Sequence, residues 1–455
     1  MNTPRSPAAA TLSGPLTAGR IVEPACPRPV DLARHGYIEE EYQASGTACA
    51  YEGELLDPDG LWVVSPCAEA PYRTRMVVRR PAADRSFSGL VVVEWLNVSG
   101  GVEAAPDWAY LHEEIMRRGH GYVAVSAQAF GVNGGTALLA TPGLAPYGGL
   151  VAAQPARYGT LVHHGDRFSF DLFAQVGAAL RRAQPPTALG PLRPRRIIAV
   201  GESQSAFFLT TYLNAVHHDA EVYDGFLVHS RGGDAASLAG VPKGDPSLST
   251  AVRIRTDVRI PVLTLETETD LGPRLDFGRA RQPDTERIRT WEVAGTAHAD
   301  AYLVGSFVDL LGCGVAINDG PHHVVSHAAL RALEHWVVEG TPPATAPPLR
   351  LSSLTPPVIA RDRLGNALGG VRTPAVDVPV AALSGDAPEG ANDLCSLFGS
   401  TITFDAATLK SLYGDKHSYR SAYEAALDKA ISAGFLLDDD RESLRARARG
   451  VAVPE

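Results

Sequence analysis

Three short stretches carry residue types and spacings that could perform nucleophilic acyl chemistry. In the first, residues 195–210 (R-R-I-I-A-V-G-E-S-Q-S-A-F-F-L-T), Ser203 stands between a branched apolar run and an apolar-periodic segment. A serine on a tight strand-to-helix turn is a nucleophile elbow, normally G-x-S-x-G. Here the motif is G-E-S-Q-S, with Ser205 where the second glycine would stand. A serine hydroxyl needs a base to take its proton, and the base needs an acid to orient it. The loop E-T-E-T-D-L-G-P offers Glu266, Glu268 and Asp270, and R-T-W-E-V-A-G-T-A-H-A-D offers His298 after Gly295. Each follows its own strand-like run, in the order serine, acid, histidine.

The acid is expected a few residues past its strand. That favours Asp270, with Glu268 the alternative and Glu266 still inside the strand. The oxyanion formed in acyl transfer needs preorganised N–H donors. One is expected from the Gln204 backbone, at the start of the following helix. The second is expected from the backbone of Asn97 or Val98 in W-L-N-V-S-G-G, the loop after the run Leu90 to Trp95.

These loops need a sheet to hold them. Strand-like runs at Leu90–Trp95, Tyr122–Ala127, Ile197–Val200, Tyr223–Val228, Pro261–Leu265 and Ile288–Val293 alternate with helical patterns at 107–118, 168–182 and 328–338. Such alternation predicts an α/β fold with a mostly parallel twisted sheet and helices on both faces. Between Tyr37 and Pro81, short β patterns such as Ser45–Tyr51 and Tyr72–Arg80 suggest an antiparallel entry to that sheet.

The domain reading is a disordered N-terminus over 1–20, a core over 21–345, and a C-terminal extension over 346–455 packed on the core. T-P-P-A-T-A-P-P leads into the extension, and helix is expected over Ser411–Arg449. Lid-like insertions near 129–167 and 230–259 are expected above the strand ends, where such folds bind ligands. Gln128, Phe130, Tyr147, Tyr158 and Arg231 are the residues assigned there to a mostly apolar substrate pocket.

With 45% hydrophobic and 20% charged residues, the 455-residue chain has a globular composition. A net charge of −10 and the lack of a long basic run exclude nucleic acid as a main partner. No segment reaches the roughly 18 apolar residues of a membrane span, and no signal-peptide core is visible. Five cysteines without C-x-x-C spacing give no zinc or redox motif. Reduced thiols in a cytoplasm are expected, with one bridge, such as Cys313 to Cys395, left open. The pairs His163–His164, His217–His218 and His322–His323 do not present two rings to one metal, so no metal site is expected.

The chain resembles the α/β-hydrolase superfamily, and within it the bacterial and fungal group of "alpha/beta hydrolase domain-containing" proteins. The likeness runs over nearly all of the sequence beyond Gly36. It is carried by G-Y-I-E-E-E-Y, V-E-W-L-N-V-S-G-G, R-Y-G-T-L-V-H-H-G-D-R-F-S-F-D, G-E-S-Q-S-A, Q-P-D-T-E-R-I-R-T-W-E-V-A-G-T-A-H-A-D and G-N-A-L-G-G-V-R-T-P-A-V-D-V-P. In that group G-E-S-Q-S is usual. The resemblance implies a serine hydrolase of carboxylic esters, without metal or organic cofactor, working through an acyl-enzyme on a small-molecule ester. Its nucleophile and base map onto Ser203 and His298, and its acid onto the E-T-E-T-D loop. The alternatives are acyl transfer by the same triad, or a hydrolase fold kept for binding alone.

Overall fold

The computed structural model describes residues 7–56, 60–139, 148–182, 188–246, 248, 251–451 and 453. The chain divides into two compact units, residues 1–262 with 280–282, and residues 263–279 with 283–455.

In the first unit a sheet begins with β1 (Thr11–Ser13) and the long hairpin of β2 (Tyr37–Leu56) and β3 (Leu61–Pro81). It continues through β4 (Leu90–Trp95), β5 (Gly121–Val125), β6 (Arg196–Glu202) and β7 (Gly225–His229). Across this sheet the strands lie in the order β1-β2-β3-β5-β4-β6-β7. The first three pairings are antiparallel, including Met76 against Val125. From β5 to β7 every pairing is parallel, with Val91 against Gly121, Leu90 against Arg196, and Glu202 against His229.

The antiparallel entry is therefore one continuous hairpin of 20 and 21 residues rather than several short strands. Its outer half buries little, which is why alternation fades there in the sequence. β1 pairs with β2 from Thr11 opposite Ser45, so residues 11–13 are ordered where a disordered stretch was expected. Three ladder residues bound to a neighbouring strand leave no hydrophobic periodicity to detect.

The helices packed on this sheet include α1 (Pro106–Arg118), α2 (Ser169–Arg182) and α3 (Gln204–Thr211). Trp108, Leu111 and Ile115 of α1 are buried, as are Phe170, Phe173, Val176 and Leu180 of α2. α1 stops at Gly119, whose φ of 69° lets its N–H reach back to the last turn. α3 runs on into a π-helical segment, Tyr212–His217, which the periodicity did not reveal. Trp95 on β4 joins the layers, its ring 4.8 Å from Phe173 and 5.4 Å from Phe208. Each such ring taken from water contributes about 1.5–3 kcal/mol.

In the second unit β8 (Val262–Thr267) and β9 (Ile288–Val293) are neighbours, and a one-turn helix α4 (Glu268–Leu271) follows β8. Helix α5 (His322–Glu339) buries Leu330, Leu333 and Trp336 and ends at Gly340 with φ 79°. The C-terminal residues belong to this same unit. Trp291 Nε1 donates to Ala344 O at 2.8 Å, and Val371 N–H to Glu292 O at 2.7 Å. Small hairpins follow, β10 (Leu351–Leu354) with β11 (Pro357–Ile359) and β12 (Ala381–Ser384) with β13 (Ser400–Thr403). The helical end comprises α6 (Ala406–Tyr413), α7 (Lys416–Ser432) and α8 (Arg441–Arg449). Tyr419 and Tyr423 are buried there, with ring centres 5.9 Å apart.

Cys313 and Cys395 form a disulfide. This is the bridge that the sequence reading left open. Cys26, Cys49 and Cys67 are not disulfide-bonded. Among the described residues no helix is long and apolar enough to cross a membrane.

Candidate active site

Ser203 sits between the end of β6 and the start of α3 with φ 59° and ψ −120°. A side-chain-bearing residue there is strained by about 1–3 kcal/mol and must be held. The Ser203 N–H donates to His229 O on β7 at 3.0 Å, and Ser203 O accepts the N–H of Ala206 and Phe207 at 2.9 and 3.2 Å. The turn is tight. A Cβ on Gly201 would lie 3.2 Å from both Cβ and carbonyl of Ser205, a tight contact that glycine avoids. The buried Oγ of Ser205 has no hydrogen-bond partner among the described residues.

The loop after β4 is bound to this turn. Asn97 Nδ2 donates to Glu202 O at 3.1 Å, and Asn97 Oδ1 accepts from Ser99 N–H and Oγ–H at 2.8 and 2.7 Å. The Asn97 backbone N–H donates to Ala104 O at 3.0 Å, and Ala104 N–H returns to Asn97 O at 2.8 Å. The Asn97 amide thus closes the loop. The Val98 N–H donates to the side-chain Oε1 of Gln204 at 3.2 Å. The backbone N–H of Gln204 has no acceptor among the described residues.

In the second unit His298 Nδ1 lies 2.6 Å from Asp270 Oδ1, and both side chains are buried. The other Asp270 oxygen accepts the Thr267 N–H at 2.6 Å and its hydroxyl at 2.8 Å, closing a capping box at the start of α4. Burial pushes the Asp270 carboxyl up. The facing His298 charge, its hydrogen bond and the two from Thr267 outweigh that, and hold the carboxyl below its ordinary value. Glu268 is engaged elsewhere. Its Oε1 accepts Gly295 N–H at 2.6 Å, and its Oε2 accepts Gly385 N–H at 3.0 Å and Arg361 Nη2 at 2.8 Å. Burial raises the Glu268 carboxyl against the pull of Arg361. Gly295, with φ 73°, makes the turn that leads to His298, and a Cβ there would meet Val376 at 2.5 Å.

Residues 12–446 match the family described as Alpha/beta hydrolase domain. The chain belongs to this α/β-hydrolase family. Among curated proteins no relative matches this hydrolase. Similar solved structures include an α/β serine hydrolase without lid from Xanthomonas campestris, at 12% identity and TM-score 0.31 over 53% of this chain and 86% of that one. A glucuronoyl esterase from Solibacter usitatus has 10% identity and TM-score 0.32 over 64% and 82%. A putative carboxylesterase from Lactobacillus plantarum has 12% and 0.30 over 64% and 98%.

Three of the five residues assigned to a pocket have other engagements in this α/β hydrolase. Gln128 is buried, accepting from Trp95 Nε1 at 3.3 Å and donating to Asp166 at 3.2 Å. Tyr158 is a core residue. Its hydroxyl donates to Glu41 at 2.8 Å and accepts the Val22 N–H at 3.1 Å, amid Val132, Leu150 and Leu161. Arg231 donates to the carbonyls of Gly232 and Val252 within its own insertion, which also seats on α3 through Ala236 N–H to Phe207 O at 3.2 Å. Phe130 is partly exposed in the short helix Ala129–Asn133, and Tyr147 lies outside the described residues.

Sequence reasoning missed a second acid–histidine pair in the hydrolase. His229, whose carbonyl holds Ser203, places Nδ1 2.8 Å from Asp107 Oδ1, with both side chains fully buried. Asp107 lies in the first turn of α1, and the carboxylate of Glu94 on β4 caps that helix by accepting the N–H groups of Asp107 and Trp108 at 3.0 and 2.8 Å. Burial drives both carboxyls well above their usual range, and for Glu94 the nearby Asp107 adds to it. The one signal was a lone glutamate inside V-V-V-E-W. The histidine stands 122 residues from its partner.

Proposed function

We propose that this α/β hydrolase cleaves carboxylic esters of small molecules through an acyl-enzyme, with Ser203 as nucleophile, His298 as base and Asp270 as its orienting acid. The carrying observation is the positive-φ conformation of Ser203 at the strand-to-helix turn. A side chain is held in that strained state where its hydroxyl must project clear of the backbone. The buried Asp270–His298 pair supports the assignment of the base. A carboxylate 2.6 Å from Nδ1 keeps the proton on that nitrogen, which leaves Nε2 as the proton acceptor.

In this reading Ser203 Oγ bonds to the ester carbonyl carbon while its proton passes to His298 Nε2. The carbonyl electron pair moves to oxygen, where the N–H groups of Gln204 and Val98 receive it. The C–O bond to the alcohol then breaks, and the alcohol leaves with the proton from His298. Water, deprotonated by His298, attacks the acyl-enzyme and returns Ser203.

Ser203→Ala tests this directly. Hydrolysis of p-nitrophenyl acetate is expected to fall by at least about 1,000-fold with an unchanged melting temperature. A fluorophosphonate probe is expected to label wild type at Ser203 and leave the variant unlabelled. Undiminished hydrolysis in the variant overturns the assignment.

A further inference from the structure

One hydrogen bond occupies the proposed oxyanion site before any substrate arrives. The Val98 N–H, one of the two donors assigned there, already donates to Oε1 of Gln204 at 3.2 Å. An amide N–H carries a single proton, so a second acceptor must share it or displace the first. The occupant is an amide carbonyl, close in kind to the ester carbonyl that would replace it. It also belongs to the residue whose own backbone N–H is the other donor. Both Gln204 and Val98 are buried, where an unsatisfied N–H is unfavourable, so the side chain satisfies a donor that the empty site would otherwise leave bare.

We infer that the Gln204 side chain is a resident cap on the oxyanion site, which withdraws from the Val98 N–H as substrate binds. The inference rests on the reading of Val98 and Gln204 as oxyanion donors.

The opposing role would be a strut, in which Gln204 holds the loop in place. The loop has other ties. Asn97 bonds to Glu202 O through its side chain and to Ala104 through both backbone groups, and Ser99 bonds to Asn97 Oδ1. The residue next to Val98 is thus anchored to the elbow without Gln204, and the bond to Gln204 can be given up while the donor stays aimed. A glutamine has three side-chain torsions by which to leave. A net hydrogen bond of ordinary strength corresponds to about a 2- to 10-fold change in an equilibrium.

Gln204→Met tests the cap, because it keeps length and bulk and removes the acceptor. Gln204→Glu keeps the acceptor and adds a charge that competes with an oxyanion. The probes are p-nitrophenyl acetate and an alkyl trifluoromethyl ketone, whose carbonyl carbon bonds to Ser203 Oγ as the proton passes to His298 and the oxygen becomes an oxyanion. Fluorophosphonate titration of Ser203 counts competent sites in each preparation.

With a cap, Gln204→Met binds the ketone about 2- to 10-fold more tightly than wild type and raises kcat/KM by a similar factor. Gln204→Glu binds it at least about 10-fold more weakly. Unchanged or weaker ketone binding by a fully titratable Gln204→Met overturns the cap and leaves the esterase reading standing. Gln204→Ala, judged by the same criterion, replaces the methionine variant if that one does not fold. A wild type that the fluorophosphonate does not label at Ser203 overturns the underlying reading, and the cap with it.

Discussion

Asp270 Oδ1 lies 2.6 Å from His298 Nδ1, while Glu268, two residues earlier, binds Gly295, Gly385 and Arg361. One short turn thus separates a carboxylate that orients a histidine from one that fastens the loops around it. Asp270→Asn is expected to lower kcat by about 100- to 10,000-fold, because an amide no longer enforces the Nδ1 proton. Glu268→Gln is expected to keep kcat within about 10-fold and to lower stability by about 1–3 kcal/mol, since Arg361 retains Asp386 at 2.6 Å. Ester-hydrolysis rates and urea melts of the two variants decide the matter. The reverse pattern would assign the acid to Glu268.

Asn97 donates to the carbonyl of the residue before Ser203. Asn97→Ala removes that tie and the acceptor for Ser99, and about 1–2 kcal/mol of stability with them. Since the change loosens the donors and not the binding surface, kcat is expected to fall by about 10-fold or more with KM nearly constant. A rise in KM at unchanged kcat would place Asn97 in substrate binding instead.

His217 gives the protein an acid-sensitive point remote in role from catalysis. Burial, the main cause, depresses its pKa from 6.5 to about 3 against the pull of the Tyr223 carbonyl, which lies 3.0 Å from Nε2, as the Tyr223 N–H does at 3.1 Å. Below pH 6.5 the unfolded chain takes a proton that the folded one refuses. The stability from this group is therefore complete above that pH and is lost as pH falls towards about 3. Melting temperatures from pH 7.5 to pH 4.5 are expected to drop less steeply for His217→Gln than for wild type over this window of about 3 units. Equal slopes would remove His217 from the acid response.

Cys313 and Cys395 close a loop of 82 residues in the second unit. They bring together Leu311, Leu394 and the cluster of Val304, Ile317 and Phe398. Cys313→Ser with Cys395→Ser is expected to destabilise that unit by about 2–4 kcal/mol. Reduction by dithiothreitol should lower the wild-type melting temperature and leave that of the double variant unchanged. A dithiothreitol shift in the double variant would point to another bond.

Much of this molecule was legible along the chain because the deciding interactions are local. A branched apolar run ending in Gly201 and Ser203, then a helical period, determines a strand, a tight turn and a helix, whatever surrounds them. The same holds for the strand–helix alternation and for the glycine at 295, which only a turn with positive φ requires. Other features depend on partners that spacing does not reveal. Distance past the strand favours Asp270 but leaves Glu268 as the alternative, and a capping hydrogen bond from Thr267 with a packed Gly385 separates them in space. Asn97 and Val98 are adjacent, yet a bridge to Ala104 commits one amide and the Gln204 side chain takes the other. The Asp107–His229 pair and the Cys313–Cys395 bond join residues 122 and 82 positions apart. The sequence by itself determined which residues stand on turns after strands. Tertiary packing decided which polar atoms those residues meet, because a buried donor or acceptor takes its partner from whichever element folds against it.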